Sequence, residues 1–351
     1  MNLPLNISAL AIPLPTASPQ FINLYDAAND APPGDTSSQT PGIAQELRAG
    51  LLKPAASLSP KFLYNEMGSK LFEAITKLDE YYPTRTEAAI FEASSPQMAQ
   101  TMNSTGIRHA CLIDLGAGNC AKAAALIPHL QPRQYVPVDI SVDFLRDAAE
   151  QMQNTFPALD IVGVGMDFSS GLVLPKEVQT QERVFFYPGS SLGNFHPDEA
   201  LQFLTHIADP AQGKARGLLL GIDLVKDTAT LEAAYDDALG VTASFNKNML
   251  LNVNDIIGSD FDVRQWKHIG LFDTGKSRIE MHLEAMHDLT VTWPGHQGSG
   301  RAFKAGERIH TECSYKYTLE SMTAMLQQAG FRHMEHWTDP KGWFAVFWAA
   351  V

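Results

Sequence analysis

Two glycines and two acids are where the residue types and spacing of this chain first point to chemistry. In Leu112-Ile113-Asp114-Leu115-Gly116-Ala117-Gly118-Asn119 an apolar run ends in an acid and a glycine turn, and a helical pattern follows from about Ala121 to Leu130. That is a strand, a tight turn and a helix, the opening unit of a nucleotide-type α/β sheet. Its glycines let the backbone approach a ligand at the strand's carboxyl end. Alone, the turn reads equally well as plain structure. About twenty residues on, Tyr135-Val136-Pro137-Val138-Asp139-Ile140-Ser141 reads as a second strand ending in an acid, placed to accept hydrogen bonds from ribose hydroxyls. The pyrophosphate fingerprint GxGxxG is missing, because the chain runs Gly116-Ala117-Gly118-Asn119-Cys120-Ala121. The expected ligand is therefore an adenosyl compound without a pyrophosphate, and S-adenosylmethionine fits best.

Two later loops carry further candidates. Gly165-Met166-Asp167-Phe168 follows a third strand, where Asp167 could read an adenine amino group. A fourth strand runs into Pro188-Gly189-Ser190-Ser191-Leu192-Gly193-Asn194-Phe195, and a loop at a strand's carboxyl end is the expected place for catalysis in an open α/β sheet. Asn194 offers both donors and an acceptor, or else caps the helix that starts at His196-Pro197.

The elements that must hold these residues alternate. Strands are expected over 109–114, 134–139, 160–164, 183–187 and 216–222 with helices between, which implies parallel strands joined by crossovers. Residues 228–258 read as helical. Ser277 to Met286, Asp288 to Trp293 and Arg308 to Lys316 read as strands of an inserted lobe. A helix from Leu319 to Ala329 and a strand from Trp343 to Ala349 return to the sheet as an antiparallel edge. Upstream, Leu71, Phe72 and Ile75 recur at helical spacing, and Pro83 breaks that pattern after Tyr81-Tyr82, which reads as a ligand-facing loop or a packing hinge. The expected organisation is an extended lead-in over 1–42 that includes the turn cluster Ala31-Pro32-Pro33-Gly34-Asp35, with a helix from near Pro41 through Leu52. The helical part of a substrate lobe follows over 43–100, the cofactor-binding core over 101–227, the rest of the lobe over 228–318, and the return to the sheet over 319–351.

Composition narrows the function classes. The 351 residues are 45% hydrophobic and 19% charged, ample for a buried core, and the formal net charge of −13 offers no basic face to nucleic acid or an anionic membrane. No apolar run approaches the ~20 residues of a membrane span. The first basic residue is Arg48, so neither a charged signal start nor an Arg-rich transit peptide is present. Cys111, Cys120 and Cys313 lack paired spacing, and the histidines show no HxxxH or HxH. These features predict a cytoplasmic monomer acting on a small molecule, without a metal.

Several segments outside the cofactor turn are more specific. Tyr64-Asn65-Glu66-Met67-Gly68-Ser69, Glu80-Tyr81-Tyr82-Pro83-Thr84-Arg85-Thr86-Glu87, Asp114-Leu115-Gly116-Ala117-Gly118, Pro188-Gly189-Ser190-Ser191-Leu192-Gly193-Asn194, Ala234-Tyr235-Asp236-Asp237, Ile279-Glu280-Met281 and Thr311-Glu312-Cys313-Ser314 occur in this order. Over about residues 43 to 350 the chain resembles the histidine Nα-methyltransferases of ergothioneine biosynthesis, and the first forty residues have no counterpart. The resemblance implies a class I S-adenosylmethionine-dependent (Rossmann-like) α/β sheet with an inserted α+β substrate lobe. It implies transfer of three methyl groups to the α-amino nitrogen of L-histidine, giving hercynine. It also implies that Gly116, Gly118, Lys122 and Asp139 hold the cofactor together with Phe168 and Ser191, with Asp167 near the adenine. Asn194 and Tyr235 would bind the substrate carboxylate, Tyr64 and the Gly189 carbonyl would sit near the amine, and Tyr64, Gly189 and Asn194 would be the catalytic contacts. Tyr81, Glu312 and Ser314 would surround the imidazole, and Phe72 and Met281 would shape the wall.

Elementary chemistry agrees with those roles. An imidazole needs one acceptor and one donor, and Glu312 and Ser314, two apart on a strand, point to one face; Glu312 as a solvent-facing strand residue is the plainer alternative. The product is a quaternary ammonium ion, which faces of Tyr64 and Tyr81 could stabilise by ~0.5–2 kcal/mol. No strong general base stands out, so the amine is expected to lose its protons to water through a tyrosine or the Gly189 loop. Rival readings are the same chemistry on another imidazole or aromatic amino acid, of the ovothiol or tryptophan-derivative type, and a non-catalytic adenosyl sensor.

Overall fold

The computed structural model describes residues 18–24, 40–169, 171–211, 213–295 and 300–351. Strand β1 (Gln20–Asn23), helix α1 (Thr40–Leu52), strand β2 (Ala56–Ser57) and helices α2 (Glu66–Ile75) and α3 (Tyr82–Ser104) come first. The core then alternates β3 (Cys111–Leu115), α4 (Ala121–Leu130), β4 (Gln134–Asp139), α5 (Val142–Thr155), β5 (Asp160–Gly165), β6 (Arg183–Tyr187), α6 (Pro197–Ala208) and β7 (Ala215–Asp223). Helices α7 (Thr228–Tyr235) and α8 (Val241–Ile257) lead to β8 (Trp266–Asp273), β9 (Arg278–Ala285), β10 (Leu289–Thr292), β11 (Gly300–Phe303) and β12 (Arg308–Tyr315). The chain closes with α9 (Leu319–Ala329), β13 (His333–Thr338) and β14 (Phe344–Ala350).

The main sheet has the order β1-β5-β4-β3-β6-β7-β14-β13. Its β1, β3, β4, β5, β6 and β7 run parallel, and at one edge β14 runs antiparallel to β7 and β13 antiparallel to β14. The central parallel strands are buried on both faces: every residue of β3 and β6 is buried, which is why they read as mainly apolar runs broken only by Asp114 and Arg183. From β3 the chain goes outward to β4 and β5, then returns to lay β6 on the other side of β3. The loops after β3 and β6 therefore flank the switch point, where open α/β sheets bind ligands.

A second apolar core belongs to the lobe. Leu47, Phe62, Tyr81, Tyr235, Phe245, Trp266, Met281 and Ile309 pack together there, under a sheet of order β2-β12-β9-β8. Strand β9 alternates buried and half-buried positions, with Ile279, Met281 and Leu283 inward. On β12 the pairing passes from His310↔His282 to Glu312↔Met281, so Thr311 is an extra residue. Without that bulge Glu312 would follow His310 to the outer face; with it, Glu312 shares the inner face of Met281.

Four expectations change. Residues 20–23 of the supposed lead-in form β1, paired to β5, and the turn cluster at 31–35 lies outside the described residues. The lobe expected to run to residue 100 keeps only the first turn of helix α3: Ile90, Phe91, Met98 and Met102 pack on the main sheet with Leu112 and Phe186. The helical stretch 228–258 is two helices, parted at Gly240, whose φ of 75° suits glycine. Strands β2, β8, β11 and β13 lie outside the expected ones; β2 has two residues and β11 four, β8 is half-buried and mixed in polarity, and β13 is an exposed edge strand.

Candidate active site

The cofactor turn is open backbone. Gly116 and Gly118 have φ of +69° and +52°, and a Cβ on either would meet nothing within 4 Å. Asp139, at the end of β4, accepts the Gly118 N–H on Oδ2 and the Ser141 N–H on Oδ1, both at 2.9 Å. Each oxygen keeps lone pairs for a diol. Burial raises the Asp139 carboxyl, and the Ser141 and Gly118 amides oppose that. Ser141 ties the turn to the lobe, with its hydroxyl 2.9 Å from Ser69 Oγ and 3.1 Å from the Tyr64 carbonyl. Asp167 accepts the Ser169 N–H at 3.0 Å and lies 3.8 Å from Lys61 Nζ. Phe168 packs edge-on to Tyr187 and beside Phe203, on the core side of that loop. The open turn, the free lone pairs of Asp139 and the lack of a third glycine fit an adenosyl group without phosphates.

The loop after β6 is clamped from helix α3. Buried Glu87 accepts the Gly189 N–H at 2.9 and 3.1 Å and pairs with Lys122 Nζ at 2.6 Å. Its carboxylate fits because residue 221 is glycine: a Cβ there would lie 2.0 Å from Glu87 Oε1. Gly189 has φ +79°, and Ser191 Oγ donates to the Pro188 carbonyl at 3.2 Å. Ser190 Oγ accepts the Asp223 N–H at 2.9 Å. Gly193 packs against the backbone of Tyr315, which fixes the loop to β12.

The lobe side is a chain of rings around Glu312. Tyr64 meets Phe72 and Phe245 at 5.8 and 5.5 Å between centroids, Phe72 meets Tyr81 at 6.1 Å, and Tyr81 meets Tyr235 at 6.1 Å. Glu312 is buried and pushed up to about 7 by desolvation, partly offset by the Lys316 charge. Among the described residues no group donates a hydrogen bond to its carboxylate. Burial, and then the charge of Glu312, hold Tyr64 well above its ordinary value; Tyr81 is raised by burial, then by Tyr235 and Glu312. Tyr235 is also raised, by burial, Asp223 and Glu312. All three stay neutral phenols, so none is a base. Tyr235 donates to Ser314 Oγ at 2.9 Å, and Lys316 Nζ reaches both oxygens at 2.9 Å and Asp223 at 2.8 Å. Asp223 also accepts from Tyr82 and from Lys226.

The structure thus gathers Tyr64, Phe72, Tyr81, Tyr235, Met281, Glu312 and Ser314 in the lobe, and Gly116, Gly118 and Asp139 at the turn, with Lys122, Gly189 and Ser191 between. Asn194 is set apart. Its side chain makes no hydrogen bond to the described residues, and it lines a groove of about 410 Å³ with Glu46 and His196 and with His310, Cys313 and Tyr315 of β12. Sequence reasoning gave no role to Glu87, Asp223 or Lys316. Signals were present: Asp223 ends a core strand as Asp114 and Asp139 do, and Lys316 continues the period of two through 312 and 314.

The sheet order, the glycine turn after β3 and the acid after β4 define a class I S-adenosylmethionine-dependent methyltransferase fold. The family described as histidine-specific methyltransferase, SAM-dependent, matches residues 43–351, and this chain belongs to it. It is 37% identical over 322 residues to the histidine N-alpha-methyltransferase of Mycolicibacterium smegmatis, covering 88% of this chain and 95% of that one. It is 30% identical over 285 residues to ergothioneine biosynthesis protein 1 of Neurospora crassa, covering 79% of this chain and 31% of the longer fungal protein. The L-tryptophan methyltransferase of Psilocybe serbica is 23% identical over 89% of this chain and 94% of its own length. Among the described residues no helix is long and apolar enough to cross a membrane, and no group of three or more His, Cys, Asp or Glu could hold a metal ion.

Proposed function

We propose that this chain is an N-methyltransferase that places three methyl groups on the α-amino nitrogen of L-histidine, giving hercynine, the first step toward ergothioneine. The observation that carries the reading is the inward pair Glu312 and Ser314, an unpaired buried carboxylate and a hydroxyl two residues apart, beside neutral phenols. An imidazole uses both an acceptor and a donor, whereas an indole offers only its N–H. The kinship with the mycobacterial enzyme supports the same substrate.

Gly116, Gly118, Asp139 and Asp167 would hold the nucleoside part of the cofactor, with Lys122, Phe168 and Ser191 around it. Bound there, S-adenosylmethionine supplies a methyl group already activated by its sulfonium charge. The residues of the chain then work by positioning. Tyr64 and the Gly189 carbonyl would receive the amine, and Tyr235 and Asn194 the carboxylate end, which for Asn194 requires its amide to turn inward from the outer groove. The amine loses a proton before each of three attacks, through hydrogen bonds to neutral phenol oxygens and on to water. The ring faces of Tyr64 and Tyr81 stabilise the growing ammonium charge by ~0.5–2 kcal/mol. The reading is of a monomer in the cytoplasm, where its three cysteines remain free thiols.

The test is mass spectrometry of the purified protein incubated with cofactor and either L-histidine or L-tryptophan. A gain of up to three methyl groups on histidine and none on tryptophan is expected. Unmodified histidine, or faster modification of tryptophan, overturns the reading.

A further inference from the structure

Behind the pocket a line of buried polar groups runs from strand β9 to Tyr235. Asn246 of α8 and His268 of β8 are both buried. The Asn246 amide nitrogen lies 3.1 Å from the His282 carbonyl and 2.9 Å from His268 Nδ1, and His268 Nε2 lies 2.8 Å from the Tyr235 carbonyl. An amide NH2 has two protons, and these two contacts use both. Turning the amide over would set its oxygen against the His282 carbonyl, so the NH2 end is held toward the ring. His268 Nδ1 must then accept, and the ring proton must sit on Nε2, where it is donated to the Tyr235 carbonyl. Burial lowers the His268 pKa, opposed by the Tyr235 carbonyl, Asp236 and Asp237, which agrees with a neutral ring.

Tyr235 is the last residue of α7, and the carbonyls of a helix's final turn have no partner within the helix. His268 supplies one. Gly270, two residues further along β8, lets the strand come close, since a Cβ there would lie 2.8 Å from the Tyr235 carbonyl oxygen. We propose that His268 is a positioning residue for the amino-acid substrate: with Asn246 it fixes the end of α7, and so the Tyr235 phenol, against the strand that carries Met281. Gly270 pairs with Met281, and His282 follows it, so the relay joins the backbones of two pocket residues. His268 reaches neither the glycine turn after β3 nor Asp139. Its effect therefore falls on the amino acid, whose carboxylate end Tyr235 receives, and not on S-adenosylmethionine.

This inference rests on Tyr235 as a substrate contact, and wild-type methylation of histidine tests the histidine reading on its own. His268→Leu, which lacks both ring nitrogens, is expected to raise the histidine KM about tenfold and to leave the cofactor KM within about twofold. His268→Gln, whose amide can accept from Asn246 and donate to Tyr235, is expected to return the histidine KM to within about threefold of wild type. In a Tyr235→Phe background His268→Leu is expected to add less than about twofold, because the hydroxyl it places is gone. A parallel rise of both KM values, no recovery with glutamine, or an equal penalty in both backgrounds overturns the proposal. Should His268→Leu fail to fold, Asn246→Leu carries the same cycle, since it removes the donor that fixes the ring proton on Nε2. Nitrogen-15 NMR of the ring, assigned by the loss of its signals in His268→Gln, gives a readout that needs no substrate. The proton is expected on Nε2 at about pH 8, and a proton on Nδ1 overturns the relay whichever amino acid is methylated.

Discussion

Glu312 holds a charge where burial disfavours one. Its carboxyl is pushed up from 4.5 to about 7, so between those values the folded chain keeps a proton that the unfolded chain has lost. Above pH 7 the ionised group therefore costs stability, by about 3 kcal/mol at most. Glu312→Gln is expected to melt at a higher temperature than wild type at pH 8, with the difference closing as pH falls toward 4.5, and to raise the histidine KM. Equal melting at pH 8 would show that the carboxylate is not strained. This trade of stability for an acceptor suits a binding role. The pairing of Glu312 with Ser314 was legible from their spacing of two on a strand. The lysine behind them was not, because a Lys after an apolar strand reads as solvent-facing until β7 is seen to bring Asp223 against it.

At the scale of elements, two local devices aim the site. The bulge at Thr311 turns Glu312 inward, and Glu87 on α3 holds the Gly189 loop across the sheet. Gly221 makes room for that clamp, since a Cβ would meet Glu87 Oε1 at 2.0 Å and Gly189 N at 3.2 Å. Gly221→Ala is expected to push Glu87 off the loop amide and lower kcat about tenfold to a hundredfold, with an overpacking cost of about 1–3 kcal/mol in a melt. A folded variant with unchanged kcat would remove the clamp from the account. The core strands were legible because a parallel strand buried on both faces is a mainly apolar run, as in Leu112-Ile113 and Val184-Phe185-Phe186-Tyr187. Strands β1, β2, β8, β11 and β13 were not, since short, edge and half-buried strands carry weak patterns, and no pairing partner can be read from one segment. The expected lobe boundary at residue 100 falls within helix α3 because its two ends pack in different cores: Tyr82 among the rings of the lobe, and Ile90, Phe91, Met98 and Met102 against the sheet.

Across the whole molecule, the site lies on the seam between the apolar layers on the two faces of the parallel sheet and the apolar core of the lobe. The seam is closed by polar links from each side: Ser141 to Ser69 and Tyr64 at the cofactor turn, and Asp223 to Tyr82 and Lys316 at the substrate end. A methyl donor held by the core and an amine held by the lobe are thereby fixed against one another. The most direct measurement is a crystal structure of the chain with S-adenosylhomocysteine and L-histidine. The account predicts the ribose on Asp139, the imidazole between Glu312 and Ser314, and the α-amine toward the cofactor sulfur. A histidine ring away from Glu312, or an amine turned from the sulfur, would contradict it.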